Sequence, residues 1–279
     1  MIKKYNLHTD KLVVAYKNDE ATTNYIMSHL NDEAEGNFNE FILLKNNDLQ
    51  NYRYAYDIVA EGEVLAVIYW GHFNPQMQSI YIKYNNKALY FENKHYITYI
   101  EDRLHLKLEK IQSIDLALDF NFNITSKIYK ILKDKDINIK ILNKVYDYNE
   151  NIPVLTTASG TRRNLQANKT LSVVSKNKGL SLHSYNKSKE IAENNNYKQY
   201  ITDVNNYTKC WRLEVRCTHK ELHSTLTALH MTEDEVYMLA LSDCNSERIF
   251  EIYNHLLDRL IMVTVGRKSI NLLNYIANE

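Results

Sequence analysis

The chain has few cysteines, glycines and prolines, and it has no long apolar run. Its three cysteines, Cys210, Cys217 and Cys244, form no CxxC spacing, and an odd, sparse set excludes a disulfide scaffold. No segment approaches the roughly 18 consecutive apolar residues that a membrane helix needs, so no membrane partner is expected. The start, Met-Ile-Lys-Lys-Tyr-Asn-Leu-His, lacks the apolar stretch of a signal peptide. These absences together predict a reduced, soluble, cytoplasmic protein. Net charge is missing too: 34 Lys and Arg balance 34 Asp and Glu, which counts against a uniformly basic nucleic-acid binder. With only six glycines and two prolines, the composition leans on asparagine, lysine and 22 tyrosines. An AT-rich coding sequence produces much of that bias, so a lone Tyr, Asn or Lys carries no functional meaning by itself.

What is present is unevenly distributed. Residues 151–230 hold 12 basic and 5 acidic side chains, a net +7, whereas residues 231–258 hold 7 acidic and one basic, a net −6. Partitioned charge steers a polyanion to one face while the total stays near zero. The length of 279 residues suffices for one large domain or two small ones with a sizeable core.

The N-terminal part reads mostly as strands, at Asp10 to Tyr16, Glu40 to Leu44, Tyr52 to Val59 and Val64 to Tyr69. Ile80 to Tyr84 and Lys87 to Phe91 suggest a hairpin around Asn85-Asn86. Tyr96 to Leu108 and Ile124 to Leu132 have helical spacing, and Ile137 to Leu142 reads as a strand. Beyond a polar stretch at 145–168, Leu171 to Ser175 and Leu180 to Tyr185 read as strands around Asn177-Lys178-Gly179, with a helix starting just after. The last 60 residues look helical, over Glu233 to Leu241 and Glu247 to Val263, with a capping-box start at Thr232-Glu233-Asp234-Glu235. The expected architecture is α+β: residues 1–217 a strand-rich domain, residues 218–279 a helical C-terminal extension.

Three alternating segments carry the chemistry. In Ile114 to Phe120, Asp115, Ala117 and Asp119 share the face opposite Ile114, Leu116, Leu118 and Phe120. A solvated strand face gives the same pattern, but this polar face is purely acidic and has a small residue at its centre, which leaves room for an ion or a phosphate. In Leu180 to Tyr185, Ser181, His183 and Tyr185 share one side, and Lys187 follows. In Lys209 to Thr218, Arg212, Glu214 and Arg216 lie opposite Trp211, Leu213 and Val215.

A tyrosine beside carboxylates and arginines points to phosphodiester cleavage. Tyrosine attack on phosphorus needs an activated oxygen and a neutralised phosphoryl charge. Asp115, Asp119 and Glu214 are candidate oxygen ligands for Mg²⁺ or Mn²⁺. On a regular strand Asp115 and Asp119 are about 13 Å apart, too far to clamp one ion together. One of them with Glu214 is the direct set, and the sequence does not say which. His183 is a third ligand, a proton carrier or a plain surface histidine. Lys187 lowers the pKa of Tyr185, binds phosphate or is simply solvated. Arg212 and Arg216 either pair with the acids or hold the phosphate, and Arg162 and Arg163 in Ser159-Gly160-Thr161-Arg162-Arg163-Asn164 suit phosphate contact.

The ordered set Ile114-Asp115-Leu116-Ala117-Leu118-Asp119, Gly179 to Glu190 and Trp211-Arg212-Leu213-Glu214-Val215-Arg216 resembles rolling-circle replication initiation proteins. The similarity, over roughly residues 8–220, is to plasmid replication initiation factors and the related filamentous-phage gene II type replication proteins. The resemblance implies a five-stranded antiparallel nuclease sheet with packed helices. It implies origin nicking through a 5′-phosphotyrosine, with Tyr185 as nucleophile and Asp115, Asp119 and Glu214 as metal carboxylates. The expected partner is origin DNA with a single-stranded or hairpin target. A host helicase or a second copy of the chain are further partners the helical extension would suit. The histidine-hydrophobic-histidine triplet of many such initiators is absent, which favours a carboxylate-based metal site. A mobilisation relaxase with the same chemistry, or a non-catalytic DNA-binding regulator, are the alternatives.

Overall fold

A computed structural model describes residues 5–32, 34–90, 94–150, 152, 170–194, 198–242 and 246–278. In chain order the elements are β1 (Tyr5–Tyr16), α1 (Glu20–Ser28), β2 (Leu30–Asn31), β3 (Glu35–Asn37), β4 (Ile42–Lys45), β5 (Tyr52–Ala60), β6 (Glu63–His72), β7 (Ile80–Tyr84), α2 (Asn86–Tyr90), α3 (Lys94–Arg103) and β8 (Leu108–Phe120). Then come α4 (Ile124–Leu132), β9 (Asn138–Ile141), β10 (Lys144–Tyr146), β11 (Leu171–Val174), β12 (Leu180–Asn186), α5 (Lys187–Glu193), α6 (Tyr200–Asn205), β13 (Trp211–Thr218), α7 (His219–Leu229), α8 (Glu233–Ser242), α9 (Glu247–Leu260), β14 (Ile261–Val265), β15 (Lys268–Asn271) and α10 (Leu272–Asn278). The fold is α+β with antiparallel strand pairs. The expected five-stranded sheet is corrected: eleven strands belong to the larger sheet. No helix among the described residues is long and apolar enough to cross a membrane.

The chain clusters into two compact units interleaved in sequence. The first comprises Met1–His8, Asp115–Met231 and Asp243–Glu279; the second comprises Thr9–Ile114 and Thr232–Ser242. The long strands β1 and β8 each supply residues to both.

In the first unit the strand order is β11-β12-β13-β8-β1. One face of this sheet is apolar, built by Leu180, Leu182, Leu213 and Val215, all buried. Helix α4 supplies Ile124, Ile128, Tyr129, Ile131 and Leu132 at helical spacing, and its start is capped by Asn123, whose side chain accepts from Ser126 N at 2.8 Å. Ile249, Ile252, Tyr253, Leu256, Leu257 and Leu260 form the buried stripe of α9. Each such buried side chain contributes about 1.5–3 kcal/mol relative to exposure. Tyr253 Oη donates to Leu213 O at 3.0 Å, which fixes α9 against β13.

The C-terminal extension is not wholly helical, a second correction. Helix α9 stops at Leu260, and the run Ile261-Met262-Val263-Thr264-Val265, β-branched at four of its five positions, becomes strand β14. It pairs with β9 in the register Ile261↔Ile141 and Val263↔Ile139, and turns into β15 at Gly266, whose φ of +59° suits glycine. Val263 thus sits in a sheet, because pairing with the apolar β9 outweighs the helical period.

In the second unit the order is β1-β7-β6-β5-β4-β3-β2. The hairpin expected over 80–91 is corrected as well: β7 ends at Tyr84 and Asn86–Tyr90 is helix α2, with Ala88, Leu89 and Tyr90 buried. Asparagine starts a helix as readily as it makes a turn. Helix α3 ends at Arg103, short of Leu108, which already belongs to β8. A hydroxyl cluster fastens α3 and α8 to the sheet. Tyr16 Oη donates to Glu101 Oε1 at 2.5 Å and lies 2.8 Å from Tyr84 Oη, and Tyr237 Oη also donates to Glu101. The expected capping box is present: Glu235 N donates to Thr232 Oγ1 at 3.2 Å, and Thr232 N donates to Glu235 Oε2 at 2.7 Å.

Candidate active site

The polar face of the β12-β13-β8 sheet lies within the first unit. Register sets Ser181 opposite Arg216, His183 opposite Glu214 and Tyr185 opposite Arg212. Strand β12 begins at a tight approach: a Cβ on Gly179 would stand 3.1 Å from Thr218 Oγ1 and 3.2 Å from Glu221 Cγ. Any larger residue would have to push these two side chains aside, so glycine suits the close approach of the β11–β12 turn to β13 and α7.

At the centre of the face, Tyr185 Oη donates to Glu214 Oε2 at 2.8 Å. Arg216 Nε donates to the other carboxylate oxygen, Oε1, at 2.5 Å, and also lies 3.6 Å from Asp115 Oδ2. Glu214 and Asp115 are buried, at 1% and 7% exposure, whereas the Arg216 side chain is 48% exposed. Burial works against the Arg216 charge, but Glu214 and then Asp115 outweigh it and hold the guanidinium above its ordinary pKa. Two carboxylates therefore converge on one cation that reaches solvent, and a tyrosine hydroxyl is bonded to one of them.

Asp119 lies apart from this centre. Arg212 donates to it twice, Nε to Oδ1 at 2.7 Å and Nη2 to Oδ2 at 2.8 Å, with both side chains fully buried. Asn205 Nδ2 adds a bond to Oδ2 at 3.1 Å, and His8 Nε2 stands 3.9 Å from the same oxygen. This is a closed, bidentate pair. Arg212, expected as a phosphate contact, has no surface to offer one, and Asp119, expected among the metal carboxylates, is enclosed with it, whereas the arginine on Glu214 reaches solvent. The contacts run in opposite order along β8 and β13, Asp115 with Arg216 and Asp119 with Arg212, which sets the small Ala117 level with Glu214.

His183 shares the face but is held by serines: Nδ1 lies 3.0 Å from Ser172 Oγ and Nε2 3.0 Å from Ser181 Oγ. Burial, and then the Arg216 charge, push its pKa below the usual histidine value, with Glu214 opposing. Its imidazole is therefore predominantly neutral at pH 7. Lys187, at 1% exposure, is far from the solvated lysine its position allowed. Its Nζ lies 2.6 Å from Glu190 Oε2 and 5.7 Å from the centroid of the Tyr185 ring. Burial, and then Asp119, push the Cys210 thiol up, so it is not a nucleophile at neutral pH. Arg162 and Arg163 lie outside the described residues.

Sequence reasoning missed Asn205, His8, Glu190 and Ser172. The hairpin register Ser172↔His183 makes the last of these legible in principle. Nothing local marks Asn205, which is 86 residues from Asp119 in the chain.

No family model and no curated protein matches the chain. Among solved structures, it is similar to one described as a rolling circle replication initiator protein from Geobacillus stearothermophilus, at 14% identity and a TM-score of 0.48, covering 98% of this chain and 96% of that one.

Proposed function

We propose that this chain initiates replication by nicking and rejoining one strand of origin DNA through Tyr185. The observation that carries the reading is the hydrogen bond from Tyr185 Oη to the buried Glu214, whose second oxygen is held by the half-exposed Arg216. The order and spacing of the motifs, which resemble rolling-circle initiators, add to it.

In the proposed step, Tyr185 Oη attacks a backbone phosphorus and its proton passes to Glu214. The P–O3′ bond breaks, the phosphate stays on the tyrosine as a 5′-phosphotyrosine, and the 3′ oxygen leaves as a hydroxyl after taking a proton from solvent. The reverse reaction rejoins the strand. Arg216 meets the phosphate, because it alone of the two β13 arginines reaches solvent. Lys187 sits by the Tyr185 ring, where its positive charge favours the phenolate over the phenol. Asp115 and Glu214 would hold Mg²⁺ or Mn²⁺: both are hard oxygen donors, and both already converge on a positive group. Bound there, the ion would neutralise charge building on the phosphoryl oxygens. Asp119 and Arg212 keep β8 and β13 in place rather than touching substrate. Arg162 and Arg163 remain proposed phosphate contacts.

The test is a covalent one. The chain is incubated with labelled single-stranded and hairpin origin oligonucleotides in Mg²⁺, in Mn²⁺ and in chelator. An SDS-stable adduct is expected only with metal and only with Tyr185 intact. DNA binding without an adduct in either metal would overturn nicking and leave a DNA-binding regulator. An adduct that persists in Tyr185→Phe would move the nucleophile elsewhere, with Tyr200 the next to test.

A further inference from the structure

Helix α7, in the first unit, carries two histidines that the proposed reaction does not use. They bracket its opening turn, His219-Lys220-Glu221-Leu222-His223, four residues apart. That spacing puts both imidazoles on one side of a helix, one turn apart. Their ring centroids are 5.8 Å apart and the ring planes are inclined by 38°. A ring nitrogen of His219 lies within 4.8 Å of one of His223. His219 is half-buried and His223 exposed, so the pair opens to solvent.

The helix is held by its buried side, which the pair flanks. Leu222, Thr225 and Leu226 are buried there. Glu221, also buried, accepts from Asn177 Nδ2 at 2.9 Å and from Arg259 Nη2. Arg259 Nη1 donates to Glu221 O and to Thr225 Oγ1, both at 3.1 Å. These bonds join α7 to the β11–β12 turn and to α9. At the far end, His230 closes the helix in the left-handed region, and Met231 N donates to Leu226 O at 3.0 Å. The backbone under the two histidines is therefore a fixed mount, and a ligand that bridges them orders only their side chains.

Two imidazoles one helical turn apart are a chelating pair, the same spacing that the His-x-x-x-His helix of zinc proteases uses. Zn–N bonds of about 2.0–2.1 Å in a tetrahedral shell set the two nitrogens about 3.4 Å apart. Rotation about the side-chain torsions closes the remaining gap without moving the helix. We infer that His219 and His223 bind a late transition-metal ion, Zn²⁺, with water completing its shell. The donors decide the class. Imidazole nitrogen suits zinc, nickel and copper, whereas magnesium and manganese prefer carboxylate oxygens such as those of Asp115 and Glu214. The α7 site thus differs from the proposed catalytic pair in chemistry as well as in residues, and it stands whether or not the chain nicks DNA. An ion held there clamps the first turn of α7 and stabilises the folded unit, as any ligand of the native state does.

The test is a zinc titration of the full, metal-stripped chain by calorimetry, without DNA and with Mg²⁺ in excess. The parent should show a saturable zinc-binding event that the Mg²⁺ leaves in place. His219→Gln and His223→Gln should each weaken it by about tenfold or more, because a single histidine forfeits the chelate. Asp115→Asn should leave it unchanged. Zinc should also slow hydrogen exchange in α7 peptides of the parent but not of His223→Gln, whose exposed position spares the fold. Absence of the zinc event in the parent would overturn the site. So would a loss of less than about threefold in either histidine variant, which would mean that the imidazoles bind singly. Loss of the event in Asp115→Asn would overturn it as well and assign the zinc to the carboxylate pair.

Discussion

Replacing Arg212 by methionine should strongly destabilise the first unit. The variant keeps most of the side-chain volume but removes two charge-assisted hydrogen bonds, at 2.7 and 2.8 Å, from an Asp119 carboxylate with no solvent access. Removing one partner of a buried pair leaves an uncompensated charge, at a cost of about 3–5 kcal/mol. Asn205 still donates to Asp119, so the lower half of that range is expected. The double variant Asp119→Asn with Arg212→Met removes both charges and should recover at least half of the loss. Because the chain forms two compact units, a single global transition is a poor readout. Hydrogen exchange of peptides from β8 and β13, resolved by mass spectrometry, reports the first unit directly. Protection there should fall by a factor of about 150 or more in Arg212→Met, corresponding to roughly 3 kcal/mol or more of local stability. A single variant costing less than about 1 kcal/mol, or a wild-type stabilisation by Mn²⁺ that disappears in Asp119→Asn, would refute the structural role and return Asp119 to the metal site.

Other outcomes follow from the same geometry. Tyr185→Phe should abolish the covalent DNA adduct while lowering thermal stability only slightly, by about 1 kcal/mol for one lost hydrogen bond to Glu214; a large stability loss measured by melting would make the tyrosine structural. The pKa of His183 is lower in the folded than in the unfolded chain, so its neutral form is favoured by folding. Its contribution is intact above the unfolded histidine value, near 6.5, and is lost as pH falls from there toward the folded value. His183→Gln should flatten that part of the stability–pH curve, and an unchanged slope would count against the assignment. Thr232→Ala should cost about 1 kcal/mol by removing the α8 cap, with faster exchange confined to the start of that helix. Glu190→Gln should leave Lys187 buried with a weaker partner and shift the pH dependence of adduct formation while the chain stays folded; an identical pH profile would mean that Lys187 does not act on Tyr185.

Much of the site was legible because a strand's period is two. Alternation alone placed Asp115, Ala117 and Asp119 on one face, Ser181, His183 and Tyr185 on another, and Arg212, Glu214 and Arg216 on a third, and the observed register β12–β13 brings the last two together. Strand spacing also separated the two aspartates by about 13 Å, and in the structure they take different arginines. The helical reading of α4 holds residue for residue, because its apolar stripe and Asn123 cap agree. Where a local signal was ambiguous it misled: Asn85-Asn86 fits a turn as well as a helix start, and Ile261 to Val265 continues an apolar period into what is a strand.

Which side chains share a strand face can be read along the chain, because alternation depends on local backbone geometry alone. Which acid goes with which arginine depends on how the strands pair and what packs over them. Asp115 and Asp119 are identical in local pattern, yet one shares Arg216 with Glu214 at the open end of the face and the other is locked by Arg212 and Asn205 in a place no water reaches. Burial and partners drawn from distant parts of the chain make that difference, and neither is encoded in the spacing of a single strand.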